Sequence, residues 1–292
     1  MTEVSTTEPG GPPRIVRTAR SLIGWMPAEQ AERVQHGNRH DVPVSQEAVA
    51  RARGARETVA ARVLGVRQER VISDAPAELD DHINALRQHP AAGAFFAEGW
   101  QVAVADLRRV CAVQPNVFID HAEDRVRDVE PLDIRSLAAV SLPVPTPSQL
   151  PAQFDESRNV WLFSAPNPNL RIVGQFGGQV QPGMVGFGFI VAISPSFMQV
   201  ARFQGRLFLR DGYHRAVGFL QRSISVVPVF TREFGNLESL NLPAGMLPQG
   251  AYFGDRPPCL PDYLDDAVSV QVQLPAFQKM VVIQGLEVTP IG

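Results

Sequence analysis

The stretch Gly205-Arg206-Leu207-Phe208-Leu209-Arg210-Asp211-Gly212-Tyr213-His214-Arg215-Ala216-Val217-Gly218-Phe219-Leu220 decides how the later part of the chain is read. Leu207 and Leu209 alternate with Arg206, Phe208 and Arg210, the period-2 pattern of a strand; Asp211-Gly212 breaks it, and an apolar run at helical spacing follows. Strand, tight turn and helix start are expected. A helix N-terminus carries unpaired N–H groups and partial positive charge, so His214 and Arg215 in its first turn add cationic donors to an anion site, with phosphate the expected guest.

Each residue of the turn admits a chemical and a structural role. Asp211 either caps the helix or binds a ribose hydroxyl or a metal–phosphate complex, which makes it a candidate catalytic residue. Gly212 permits a positive φ or close backbone approach. Tyr213 either stacks on a base or packs in the core. His214 either donates to a phosphate oxygen and shuttles a proton, the second catalytic candidate, or is a buried structural histidine. Arg215 offers the planar, bidentate donors that an oxyanion favours.

The pentapeptide Asp211-Gly212-Tyr213-His214-Arg215 resembles the D-G-x-H-R signature of the ParB/sulfiredoxin-like superfamily, and the returning Val226-Val227-Pro228-Val229-Phe230 resembles that family's next strand. The resemblance covers roughly residues 196 to 232. It implies a ParB/sulfiredoxin-like fold and a nucleotide-phosphate pocket formed by Gly212, Tyr213, His214 and Arg215, taking ATP or CTP with Mg²⁺. Tyr213 stands where sulfiredoxins have their nucleophilic cysteine and where ParB partition proteins have a glutamate, so neither of those chemistries transfers. Closer in wording are the bacterial D-G-H-H-R and D-G-Q-H-R proteins. Two functions follow as expectations: a nucleotide-dependent phosphotransferase or NTPase, or a non-catalytic nucleotide-sensing or nucleic-acid-associated regulatory protein.

Composition sets the frame. The 292 residues are 45% hydrophobic, with a formal net charge of −3 and a pI of about 6.1, so no global field draws the chain to nucleic acid or anionic membrane. Lys279 is the only lysine, a bias that reads as GC-rich bacterial coding. Cys111 and Cys259 lie far apart and suggest neither a metal pair nor a disulfide framework; two free thiols in a reducing cytoplasm are expected. No run is apolar enough for a transmembrane helix, and residues 1–13 read as a disordered tail with no signal-peptide core.

An α+β chain is therefore expected: a helical N-terminal domain over 14–140, a Pro-rich connector over 141–157, and the ParB/sulfiredoxin-like mixed β-rich domain over 158–292. Ser45 is the predicted N-cap of a helix running through Leu64. Between positions 14 and 70, 11 Arg stand against 6 Asp and Glu, an excess of +5. That surface either docks nucleic acid or an acidic protein or is a solvated helix face. Asp120, His121 and Glu123 read as metal ligands or as a turn and cap; Asp262, Asp265 and Asp266 read as a cation-binding edge or as a helix start. Strands are expected at 159–163, 170–176, 185–193, 198–203, 206–210, 226–230 and 268–274, with 280–284 pairing the last. The Gly/Pro-rich loop 235–261 is long enough to serve as a cover.

Overall fold

The computed structural model describes residues 16–63, 71–144, 150–165, 169–242, 245–275 and 279–286. The tail over 1–13, Leu64 and part of the Pro-rich connector lie outside them. The chain is α+β, and it forms two compact units: residues 1–144 with 196–276, and residues 145–195 with 277–292.

In the first unit the elements run β1 (Val16–Ser21), α1 (Ala28–Val34), α2 (Gln46–Ala61), β2 (Ile72–Asp74), α3 (Asp80–Gln88), α4 (Pro90–Ala97), β3 (Gln101–Asp106), β4 (Asn116–Phe118), α5 (Ile119–Val126) and α6 (Ile134–Ser141). In the second unit, β5 (Ala152–Asp155), β6 (Val160–Ala165), β7 (Leu170–Gln181) and β8 (Met184–Ile193) follow. The first unit resumes with β9 (Gln199–Phe203), β10 (Arg206–Asp211), α7 (Tyr213–Gln221), β11 (Val226–Glu233), α8 (Gln249–Tyr252) and β12 (Val270–Pro275). The last strand, β13 (Lys279–Gln284), belongs to the second unit.

A five-stranded sheet, ordered β10-β9-β11-β3-β2, carries the turn. Gln204 and Gly205 both take positive φ, 49° and 73°, as a tight hairpin turn between right-twisted strands requires. They close β9 onto β10. The chain then crosses through α7 and returns as β11 parallel to β9. Val227, Val229 and Phe230 of β11 are fully buried, and Phe95, Phe197 and Phe230 meet ring to ring at 5.2–5.3 Å, fixing the centre of the core.

This sheet corrects the expected division of the chain. β3 pairs with β11 from Gln101↔Thr231 to Asp106↔Val226, and β2 pairs with β3, so the N-terminal half supplies two strands to the sheet that holds the turn. Residues 14–140 are not a separate helical domain. The Pro-rich stretch marks the change from the first unit to the second, and the first resumes at Ser196.

A second correction concerns the ends. The region from Arg14 was expected to begin as helix, yet Val16–Ser21 is a strand between β12 and β4. β12 buries Val270, Val272 and Leu274 on one face as its alternation predicts, but its partner is β1, while β13 pairs with β6. The expected pairing of 280–284 with 268–274 does not form. Pro275 ends β12 without an N–H for a ladder, and the open edge is filled from the other end of the sequence.

Ser45 is the N-cap of α2, its hydroxyl accepting from the Ala48 N–H at 3.2 Å. Arg20, Arg33, Arg39, Arg51, Arg53 and Arg62 each lie against a carboxylate, so much of the local arginine excess is matched in place. The described part of the 235–261 stretch packs into the first unit: Leu240, Leu247 and Tyr252 are buried core residues and the Leu247 N–H donates to Val113 O at 2.8 Å. Within the same stretch, Leu237, Leu242, Met246 and Tyr252, with Glu238 and Gln249, line a cavity of about 560 Å³. No helix among the described residues is long and apolar enough to cross a membrane.

In the second unit, β13-β6-β5 form a three-stranded sheet and β7-β8 a long two-stranded hairpin. From Ile172 to Ile193 the hairpin has no charged residue, and Phe176, Val185 and Phe187 are exposed.

Candidate functional site

Strand β10 reaches the turn through a bulge. Its pairing with β9 shifts between Leu209 and Asp211, so Arg210 is the extra residue and Asp211 stands opposite Gln199. Gly212 then takes φ 100°, a left-handed conformation that side chains disfavour, and α7 begins at Tyr213. A Cβ on Gly212 would also lie 2.5 Å from Met198 Cγ. The glycine thus serves both roles expected of it.

Tyr213 is packed in the core. Its hydroxyl donates to Leu209 O at 2.6 Å and accepts the Val113 and Gln114 N–H groups at 2.9 and 3.3 Å, and burial pushes its pKa well above the ordinary tyrosine value. Of the two readings, base stacking and core packing, the structure has the second.

Arg215 is 7% exposed, and its guanidinium faces the protein. Nη1 donates to Val140 O, Ser141 O and Ser196 O at 3.1, 3.2 and 2.7 Å, and Nη2 to Ser196 Oγ at 2.7 Å. Val140 and Ser141 are the last residues of α6, so Arg215 caps the negative end of that helix. Desolvation lowers its pKa to about 10, against the opposing charge of Asp211, which leaves the group cationic at neutral pH.

Asp211 accepts the Gly212 N–H at Oδ1, 2.6 Å, and the Ser196 hydroxyl at Oδ2, 3.1 Å. Ser196 therefore sits between the Asp211 carboxylate and the Arg215 guanidinium, donating to one and accepting from the other. Sequence reasoning missed this residue. It lies in Ser194-Pro195-Ser196, outside any expected element, and no signal in that tripeptide points 15 or 19 residues ahead.

His214 is half-buried, its ring parallel to Phe118 with centroids 6.3 Å apart. That contact is one of a series. A Cβ on Gly218 would run into Ala122 O, and Arg222 donates to the carbonyls of Val126, Arg127 and Val129. The pairs 118/214, 122/218 and 126/222 keep one offset, so α5 and α7 run side by side in the same direction. Both helices start at the Gly212 end, and two positive helix ends lie together there. Asp120, at the start of α5, has a buried Oδ1 with no hydrogen-bond partner among the described residues.

The remaining candidates are distributed as follows. The side chain of His121 lies outside the described residues. Asp262 and Asp265 pair with Arg62 at 2.9 and 3.2 Å, and Asp266 pairs with Arg20 at 2.7 Å. Among the described residues no group of three or more His, Cys, Asp or Glu is arranged to hold a metal ion. Comparison with protein-family models, curated proteins and solved structures finds no match to this chain.

Proposed function

We propose that the chain is a nucleotide-phosphate-binding protein whose binding element is the Gly212 turn and the start of α7. The observation that carries this reading is the left-handed glycine turn feeding α7 beside the parallel start of α5, which concentrates two helix dipoles at one end. The order of strand, turn, helix and strand is also that of the ParB/sulfiredoxin-like proteins the motif resembles. In this reading the backbone N–H groups of the first turn and the His214 ring meet the phosphates. Arg215 and Tyr213 act as positioning residues, one fixing α6 and the other the loop at Val113. Mg²⁺ fits as an ion brought by ATP or CTP, since such ions keep water and phosphate ligands and need only one or two protein carboxylates, here Asp211.

As an enzyme, the protein would be a phosphotransferase or NTPase with Asp211 and His214 in the catalytic roles. A second reading, binding without turnover as a nucleotide sensor, is favoured by one observation: both oxygens of Asp211 already accept hydrogen bonds, from Gly212 and Ser196.

Titration of the purified protein with ATP, CTP and ADP, with and without Mg²⁺, tests the proposal. Saturable binding is expected, weakened about tenfold or more by His214→Ala, a loss of about 1.4 kcal/mol. Folded wild-type protein that binds none of these nucleotides would end both readings. Phosphate release over time separates them, because the sensor shows none.

A further inference from the structure

Cys111 and Cys259, read from the sequence as unrelated thiols, are partners on an antiparallel bridge. The Ala112 N–H donates to Pro258 O at 2.8 Å and the Leu260 N–H to Val110 O at 3.0 Å, so the hydrogen bonds flank the two cysteines and they form a non-hydrogen-bonded pair. Such pairs bring Cα atoms to about 4.5 Å with side chains close together, inside the 4.4–6.8 Å range of disulfides. Both are reduced, neither being in a disulfide; Cys111 is fully buried and Cys259 half-buried. We infer that Cys111 and Cys259 form an oxidation site, a dithiol that hydroperoxide converts to an intramolecular disulfide.

The surroundings give the two sulfurs different roles. The hydrogen bond from the Cys111 thiol holds the Cys259 thiol below its ordinary pKa, helped by the Arg62 guanidinium and opposed by desolvation and the Asp262 carboxylate. Asp262 is itself ion-paired to Arg62 at 2.9 Å, and it accepts the Cys259 N–H at 2.7 Å. Cys259, the less buried and the activated thiol of the two, reacts first. Its thiolate attacks one oxygen of hydrogen peroxide; the S–O bond forms, the O–O bond breaks, and hydroxide leaves and takes up a proton as water. The Cys111 sulfur, losing its proton, then attacks the sulfenic sulfur. The S–S bond forms, the S–O bond breaks, and the second hydroxide leaves as water with that proton. Two thiols are oxidised by two electrons and one peroxide is reduced to two waters.

The pair is joined to the turn. The Cys111 N–H donates to Leu207 O at 2.7 Å and Cys111 O accepts the Leu209 N–H at 3.0 Å, so Cys111 lies along β10, and Tyr263, just beyond Cys259, meets Tyr213 edge to face at 6.3 Å. A disulfide would fasten the strand that delivers Asp211 to the segment under α7.

The experiment treats the reduced full-length protein with hydrogen peroxide, then counts thiols and maps the unreduced digest by mass. Joint loss of both thiols is expected, with one intrachain peptide linking Cys111 to Cys259, reversed by dithiothreitol. In Cys111→Ala, Cys259 is expected to stop at a sulfenic acid that dimedone captures. The inference is overturned if folded wild-type protein keeps both thiols, if Cys259 proceeds to sulfinic acid without a cross-link, or if the cross-links join separate chains. The wild-type map alone decides between these, whether or not the variant folds.

Discussion

Glycine does opposite work in the two units. In the first, Gly212 and Gly218 are held to glycine by the main chain: Gly212 by its own positive φ of 100°, with Met198 Cγ and Cα 2.5 and 3.1 Å from where a Cβ would be, and Gly218 by the carbonyl of Ala122. In the hairpin of the second unit, the space beside Gly188 is filled by the tip of the Phe176 ring, 2.5 Å from where a Cβ would be, and that beside Gly186 by a Val180 methyl at 2.8 Å. There a side chain lies across a bare strand, as aromatic cover of strand glycines does. Charge follows the same divide. Arg215 and Arg222 each cap another helix with their guanidinium groups, whereas Ile172 to Ile193 has no charge at all. A glycine is irreplaceable where the obstacle is backbone and dispensable where it is a movable side chain, so the two units should respond very differently to small changes.

The largest effect is expected at the cap that holds the first arrangement together. Arg215→Met removes four donor contacts, takes the guanidinium from Val140 O at the end of α6 and from Ser196, and leaves Ser141 O with only the Met198 N–H, a loss of about 3–5 kcal/mol. Urea unfolding should show a lower midpoint at unchanged slope. Arg215→Lys should recover less than half, since one ammonium cannot reproduce the planar fork. A loss under about 1 kcal/mol for the methionine variant would break the capping account.

Gly218→Ala comes next, at about 2–3 kcal/mol, because the added methyl meets the Ala122 carbonyl and α5 must move away from α7. Adding Val126→Ala sharpens the test. Val126 Cγ2 is also close, 2.9 Å from the built Cβ, but the main-chain oxygen is the nearer obstacle, so the second substitution should not restore stability. Full rescue would mean that side-chain crowding sets the spacing of the two helices.

How much of this was legible follows from how local each signal is. The β9–β10 hairpin, the turn, α7 and β11 could be read because Gln204-Gly205 and Asp211-Gly212 punctuate short, periodic runs. The Ser45 cap was readable for the same reason. The strand character of Val16–Ser21 was hidden by arginines at Arg17 and Arg20 and by a partner, β12, at the far end of the chain. No composition marks a pairing across that distance. Within the site, the motif identified the turn but not the direction of its side chains. Whether Arg215 faces solvent or the end of α6 depends on where Val140 and Ser141 arrive, and whether two cysteines are strangers or bridge partners depends on the 258–260 segment crossing Val110–Ala112. Those are tertiary facts with no local trace.

The smallest effect is expected in the hairpin. Gly188→Ala places a methyl against Cζ, Cε1 and Cε2 of Phe176, all at the far end of a ring that is 63% exposed and can swing toward solvent. Against the lost ring contact stands the lower conformational entropy of alanine in the unfolded chain, so the change should lie within about 0.5 kcal/mol of zero. In a Phe176→Ala background the ring is gone and only the entropy gain remains; there Gly188→Ala should stabilise by about 0.4–1 kcal/mol. Amide exchange along β7 and β8 reads this unit separately from the first. If Gly188→Ala instead raised exchange across the whole hairpin, and the Phe176→Ala background did not relieve it, Gly188 would be a backbone contact like Gly218, and the distinction between the two units would fail at its weaker end.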